Sequence, residues 1–222
     1  MTPQRRARVD AVLARRQPDL TVMMERVHKP HNFSAVLRTA DAVGILEAYA
    51  VVPRGGMPEH SGTSKGAEKW TSVNTFTDTP DAIAALKSRG FSIYAAHFSE
   101  RAVDYREVDY TQPTAVLLGT EYHGVSPEAL ELVDGEVIIP MMGMTQSLNV
   151  SVANSVILYE AQRQRQNAGM YDSCRLDPEL HRRLRFEWLY PRQAQILREQ
   201  GQPYPDIIDD VDDAESVPRT NV

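Results

Sequence analysis

The sequence predicts an α/β fold in which a mostly parallel sheet is covered by helices on both faces. From residue 48 onward, short apolar and β-branched runs alternate with helical patterns, and strands separated by helices pair in parallel. Hydrophobic residues make up 42% and charged residues 24% of the 222 residues, values typical of a globular domain. A chain of this length accommodates one α/β domain with appendages.

Two helices are predicted near the start of the chain. Thr2 and Pro3 supply a cap and a first helical position for the first helix. The second helix is predicted to begin after Asn32, an N-cap residue, and to end at Gly44. Each of these helices carries apolar residues along one face, so each is expected to pack against the core.

The central part of the chain supplies the predicted sheet and its largest helix. Strands are predicted at residues 48–53, 73–77, 92–97, 114–119 and 136–140. A long helix is predicted over residues 147–166, and residues 54–69 form a long polar loop. In such sheets ligands bind beyond the carboxyl ends of the strands, so we expect the site there.

We predict a single domain over residues 1–205 with helical extensions at 1–20 and 171–200. Residues 206–222 have the composition of a disordered acidic tail. The net charge of −6 argues against nucleic acid as a partner, but charge is segregated along the chain. Residues 1–38 carry eight Lys or Arg against three Asp or Glu, which permits an RNA partner without proving one.

Several classes of protein are excluded by what the sequence lacks. It has no apolar run long enough to span a membrane and no signal peptide at its start, so a cytoplasmic protein is expected. Because Cys174 is the single cysteine, no intrachain disulfide is expected, and no Cys or His grouping has zinc-ligand spacing, so no metal is expected. The common phosphate-loop, dinucleotide, nucleophile-elbow and zinc-helix motifs are absent.

Three other segments carry polar residues that a simple core would not need. Residues 32–44 contain Asn32 and Arg38, which spacing alone explains as a cap and a surface arginine. Residues 117–124 place two glycines around a glutamate, which suits either a ligand-binding turn or a plain strand-to-helix connection. Residues 138–153 join a strand to a helix through a methionine-rich loop, which suits either an adaptable apolar wall or core filling.

Together these three segments resemble the signature motifs of the SpoU/TrmH-type RNA 2′-O-ribose methyltransferases of the SPOUT superfamily. The patterns N-x-x-x-x-x-R, G-x-E-x-x-G and I-P-M-x-G-x-x-x-S-L-N-V-S-V-A occur here intact and in the same order. The resemblance implies a C-terminal deep trefoil knot, an S-adenosylmethionine pocket within it and a homodimer. Composition and periodicity indicate none of these three features.

The resemblance also assigns roles to individual residues. The cofactor pocket is assigned to Ala96, Leu118, Gly119, Thr120, Glu121, Ile139, Pro140 and Leu148. Catalysis is assigned to Arg38, with Asn32, Glu121, Ser147 and Asn149 shaping the site. Some accounts of the family make this arginine a general base. A guanidinium is effectively always protonated, so the alternative is that Arg38 orients the ribose and stabilises charge developing on its 2′-oxygen.

Nearly the whole chain resembles the branch of this family that methylates guanosine 18 in the D-loop of tRNA. In that branch the terminal helices are thought to contact tRNA, which assigns RNA binding to Arg5, Arg6, Arg8, Arg15, Arg16, Arg182, Arg183 and Arg185. Two alternatives remain open: a ribosomal RNA 2′-O-ribose methyltransferase, and a catalytically silent RNA-binding protein with the same fold. The acidic tail and Asn154, where a small residue is commoner, depart from the shared pattern.

Overall fold

The structure is a computed structural model that describes residues 2–27, 29–52, 69–120 and 122–207. The chain divides into two compact units, one of residues 14–176 and one of residues 1–13 with 177–222. The predicted polar loop, apart from its last residue, and the tail from residue 208 lie outside the described residues.

The described residues form seven strands and seven α-helices. The strands are β1 (Leu20–Glu25), β2 (Glu47–Val51), β3 (Ser72–Phe76), β4 (Ser92–Ala96), β5 (Val103–Asp104), β6 (Thr114–Leu118) and β7 (Gly135–Ile138). The helices are α1 (Pro3–Leu13), α2 (Pro30–Ala42), α3 (Thr79–Ser88), α4 (Pro127–Leu132), α5 (Val150–Asn167), α6 (Pro178–Leu189) and α7 (Pro191–Glu199). All five predicted strands and the predicted helices are therefore present.

The strands form one sheet in the order β3-β2-β1-β6-β4-β7-β5, and every neighbouring pair is parallel. The predicted parallel sheet is confirmed. Because all strands run the same way, their carboxyl ends meet along a single edge. The loops that follow β1, β6, β4 and β7 are therefore neighbours at that edge.

Helices cover both faces of the sheet, as predicted. In β1, Val22 and Met24 belong to the apolar cluster that includes α2 and α5, whereas Met23 belongs to the cluster that includes α3 and α4. In β6, Val116 and Leu117 divide in the same way. Successive side chains of a strand point to opposite faces, so both faces of the sheet are buried under helices.

Two helix starts and two additional strands differ from the prediction. The second helix begins at Pro30 with Lys29 at the N-cap, so Asn32 lies within its first turn. The long helix begins at Val150 rather than at residue 147, and the Asn149 side chain caps it by accepting from the Ser151 amide. The sheet also gains β1 and the two-residue β5, neither of which was predicted as a strand.

A buried cluster around Arg165 joins α5 to the amino ends of the central strands. The Arg165 guanidinium is fully buried and donates to the carbonyl oxygens of Tyr110, Asp19 and Gln112 at 2.8 to 3.0 Å. It also donates to the Asp19 carboxylate at 2.6 Å. Burial raises the pKa of Asp19, but hydrogen bonds from Arg175 and Arg165 outweigh burial and hold that pKa below its ordinary value.

Arg16 belongs to the interior and not to an RNA-binding surface, so the prediction made for it is wrong. Its side chain is 0% exposed. The guanidinium donates to the Ile45 and Trp70 carbonyl oxygens at 2.8 and 3.1 Å and to the Asp41 carboxylate at 2.6 Å. A cation enclosed among these acceptors is withdrawn from any solvent-side partner.

The smaller unit consists of α1, α6 and α7. Arg185 on α6 forms a salt bridge with Asp10 on α1 at 2.7 Å, and its side chain is only 14% exposed. Phe186 on the same helix stacks on Tyr204, with ring centroids 4.8 Å apart. Arg185 therefore holds two helices of this unit together, and its assignment to RNA binding stays a prediction.

Candidate active site

An apolar groove opens at the carboxyl edge of the sheet, where a ligand was expected. Ala96, at the end of β4, and Ile139, just after β7, lie on its wall. Leu148 and Ser147, from the segment that leads into α5, also line the groove. The structure thus brings three predicted cofactor residues and one predicted catalytic residue into a single groove.

The methionine-rich loop does not fill the core. Met141 lines the groove, whereas the side chains of Met142 and Met144 are 93% and 100% exposed. Of the two interpretations open for this loop, core filling is therefore excluded for Met142 and Met144. Sequence reasoning missed His97 and Phe98, which also line the groove and follow Ala96 directly.

The first and third motifs meet through their asparagines. Asn32 is 1% exposed, and its side-chain oxygen accepts a hydrogen bond from the Asn149 side chain at 3.2 Å. Farther along the same two helices, Thr39 and Ser155 are joined at 2.9 Å. The helices α2 and α5 therefore run side by side, and both begin at the carboxyl edge of the sheet.

The second motif forms a tight turn after β6. Thr120 and Gly124 exchange backbone hydrogen bonds of 2.9 and 3.0 Å across it. A side chain on Gly119 would lie 2.1 to 2.2 Å from the backbone of Gly124 and Val125. The turn itself therefore requires glycine at position 119. The backbone amides of Thr120 and Gly124 are used in hydrogen bonds within the turn. Leu118 is buried before the turn, Pro140 is partly buried, and Glu121 lies outside the described residues.

Arg38 stands apart from the other predicted catalytic residues. It lies six residues beyond Asn32 on α2, a distance of about 9 Å along the helix axis. Its side chain is exposed and has no hydrogen bond or ion pair with any other described residue. Within one copy of the chain, Arg38 is therefore free to contact a ligand but does not line the groove.

Sequence reasoning missed a buried carboxylate, Glu25, which binds Ser126 just beyond the tight turn after β6. Glu25, the last residue of β1, is 2% exposed and accepts from the Ser126 amide at 2.9 Å and the Ser126 hydroxyl at 2.6 Å. It also accepts from the Thr79 hydroxyl at 2.7 Å. Glu25 thereby ties β1 to the starts of α3 and α4. A charged residue directly after an apolar run was the available signal.

We expect Glu25→Gln to lower the free energy of unfolding by about 1–3 kcal/mol, because an amide group would face donors in a buried site. Urea denaturation of the purified chain measures this change. The matched control is Glu128→Gln, since Glu128 is exposed on α4, and its effect should stay within about 0.5 kcal/mol. Equal effects for the two variants would contradict the role given to Glu25.

The remaining arginines assigned to RNA binding differ in their exposure and in their contacts with other residues of the protein. Arg182 and Arg183 are exposed and line a surface groove beside Tyr204 in the smaller unit. Arg5 is exposed but donates to the Trp188 carbonyl at 3.1 Å. Arg8 and Arg15 are both exposed, whereas Arg6 is partly buried.

Comparison with known proteins identifies the family. Residues 19–159, which run from just before β1 into α5, match the family described as SpoU rRNA Methylase. The chain belongs to the SpoU methylase family. Residues 163–210 match the family described as SpoU, rRNA methylase, C-terminal, so the SpoU likeness continues through α6 and α7.

Three SpoU-family relatives illustrate the likeness. The chain is 60% identical to the tRNA (guanosine(18)-2′-O)-methyltransferase of Thermus thermophilus, over 85% of this chain and 97% of that one. The Aquifex aeolicus TrmH/SpoU tRNA modifying enzyme aligns with a TM-score of 0.79 at 43% identity, over 85% and 96% of the two chains. Streptomyces viridochromogenes AviRb, solved in complex with the cofactor AdoMet, aligns with a TM-score of 0.61 at 28% identity, over 68% and 62%.

Two kinds of feature are absent from the described residues of this SpoU-family chain. None of the helices in that part of the chain is both long and apolar enough to cross a membrane. No group of three or more His, Cys, Asp or Glu side chains in that part of the chain is arranged to hold a metal ion.

Proposed function

We propose that the chain transfers a methyl group from S-adenosylmethionine to the 2′-oxygen of guanosine 18 in tRNA. The observation that carries the proposal is the meeting of motifs far apart in sequence. The Asn32–Asn149 hydrogen bond lies beside an apolar groove lined by Ser147 and Leu148. The name of the Thermus thermophilus relative supports the nucleotide and the reaction.

The residues present suit S-adenosylmethionine as the methyl donor. Ala96, Ile139 and Leu148 give the groove apolar walls for the flat adenine, and Met141 adds an adaptable surface. Gln146 and Ser147 provide polar groups at the same groove. The bound donor supplies a methyl group that is already activated by a sulfonium, so the protein must mainly align the acceptor oxygen with it.

Arg38 is proposed as the central catalytic residue. Its guanidinium stays protonated, so it orients the ribose and an adjacent phosphate and stabilises negative charge on the 2′-oxygen. The 2′-hydroxyl proton then passes to a phosphate oxygen or to solvent. Asn32, Ser147 and Asn149 shape the ribose site, and the family resemblance adds Glu121 to this set.

A homodimer is part of this proposal, because one copy leaves both the catalytic arginine and an apolar stripe unpartnered. Arg38 is exposed and lies six residues beyond Asn32 on α2. On the neighbouring helix α5, Val152 and Tyr159 are about half exposed and are seven residues apart, which places them on one face. A second copy on this surface would cover the stripe and bring another active site near Arg38.

The deep trefoil knot is likewise a proposal, supported by the order of the strands. β6 lies between β1 and β4, and β7 lies between β4 and β5, so the chain twice returns to a place between earlier strands. The groove lined by Ser147 and Leu148, just before α5, is the proposed cofactor site beside these strands. A tRNA substrate would place the protein in the cytoplasm.

The proposed function is tested by incubating the chain with labelled S-adenosylmethionine and unmodified tRNA and then mapping the label. The matched control is the same tRNA with 2′-deoxyguanosine at position 18, which lacks the acceptor oxygen. We expect label at guanosine 18 and none in the control. Label in the control tRNA or only in ribosomal RNA would overturn the substrate, and tight tRNA binding without transfer to any RNA would indicate a silent binding protein.

A further inference from the structure

An exposed aromatic ring in the turn after β6 lies against the cation at the start of α2. The side chain of Tyr122 is 78% exposed, although it belongs to the tight turn after β6. The Lys29 ammonium lies over this ring, 5.1 Å from the ring centroid. An ammonium within about 6 Å of an aromatic face attracts it, so the ring has a preferred position while most of its surface remains open.

The ring flanks the residues that surround the proposed ribose site. Lys29 is the N-cap of α2, and its carbonyl oxygen accepts from the Asn32 amide at 3.0 Å. Asn32 in turn contacts Asn149. A continuous chain of contacts therefore runs from the Tyr122 ring through Lys29 to the two asparagines of the site.

The chemistry of the proposed reaction calls for such a surface. To present its 2′-oxygen in a groove, a nucleotide must leave the stacked arrangement of folded RNA, and its base then loses its stacking partners. Proteins that bind unstacked bases replace these partners with aromatic rings. Since the Lys29 ammonium occupies one face of Tyr122, the other face is the one open to a base.

We infer that Tyr122 is the platform on which the purine base of the target nucleotide stacks, with Lys29 as its positioning residue. This inference rests on the proposed function and adds to it the group that receives the base. Phe98 is also exposed, at 83%, but it lines the groove assigned to the methyl donor and has no cation over its ring among the described contacts. Tyr122 is therefore the ring that the geometry offers to the RNA.

The inference is tested with Tyr122→Phe and Tyr122→Leu in the full chain. Loss of a base–aromatic stack should lower kcat/KM for tRNA by about 5- to 150-fold in Tyr122→Leu, whereas Tyr122→Phe keeps the ring and stays within about 3-fold of wild type. Affinity for S-adenosylmethionine and the urea unfolding midpoint should not change in either variant. His123→Ala, an exposed neighbour in the same turn, serves as the matched control and should behave like wild type.

A spectroscopic measurement separates stacking from a merely structural effect. In a tRNA carrying 2-aminopurine at position 18, the fluorescence of the bound base should be quenched by wild type and Tyr122→Phe, and should be higher with Tyr122→Leu. Equal kcat/KM and equal fluorescence for Tyr122→Leu and wild type would overturn the inference. So would a Tyr122→Leu loss that is accompanied by a shift in the sedimentation coefficient, because the ring would then be a subunit contact. If wild type itself transfers no methyl group to tRNA, the proposed function fails instead.

Discussion

Replacing Arg38 with alanine is expected to lower the rate of methyl transfer to tRNA by at least about 100-fold. The reason is that the charged guanidinium is the group proposed to stabilise negative charge on the 2′-oxygen as the new bond forms. Arg38 is exposed and makes no hydrogen bond or ion pair with other described residues, so its removal should leave the fold intact. Single-turnover transfer of labelled methyl at saturating tRNA measures the chemical step.

Arg38→Lys is the matched variant for this measurement. Lysine keeps the positive charge but lacks the planar fork that contacts ribose and phosphate together, so we expect only partial recovery of the rate. The unfolding midpoint and the affinity for S-adenosylmethionine should be the same in both variants as in wild type. An Arg38→Ala chain that transfers methyl groups at the wild-type rate would remove Arg38 from the mechanism.

Replacing Arg165 with alanine is expected to lower the free energy of unfolding by about 3–5 kcal/mol. The substitution would leave the carbonyl oxygens of Tyr110, Asp19 and Gln112 without the donor that they share, and would take one of two cations from the Asp19 carboxylate. Buried acceptors that lose their donors are strongly unfavourable. Urea denaturation followed by circular dichroism measures the change.

The same helix supplies a control for Arg165. Arg163 lies two residues earlier, pairs with Glu160 at 2.7 Å and is 60% exposed. Because Arg163 is itself exposed and Glu160 would keep its hydrogen bond from the Gln164 side chain, Arg163→Ala should alter stability by no more than about 1 kcal/mol. If the two substitutions had similar effects, the cluster around Arg165 would not be the stabilising element described above.

Periodicity predicted most of the sheet but not β1. The run from Leu20 to Met24 is buried on both faces of the sheet, so it reads as nearly continuous apolar sequence without the alternation that marks a half-exposed strand. The start of α2 was misplaced for a different reason. Asn32 is a good N-cap residue, but Pro30 is equally suited to the first turn, and Asn32 is instead used for its contact with Asn149.

The groove residues could be predicted only through the motifs, because their meeting depends on strand order. Ala96 and Leu148 are far apart in sequence and come together because β4 and β7 are neighbours. The arginines show a different limit of sequence reasoning, because the burial of a charged residue cannot be read from the sequence alone. Arg15 and Arg16 are adjacent in a basic segment, yet one is exposed and the other is fully buried, and a count of charges does not distinguish them.

The strand order has a consequence for how the chain is synthesised. β1 is made early, but one of its two sheet neighbours, β6, begins at residue 114, some ninety residues later. Until then, a chain still growing on the ribosome carries β1 with one hydrogen-bonding edge open, and such edges can pair with other chains. Domains built from long-range parallel pairing fold slowly. We therefore expect β1 to be prone to aggregation until β6 has been translated and can pair with it.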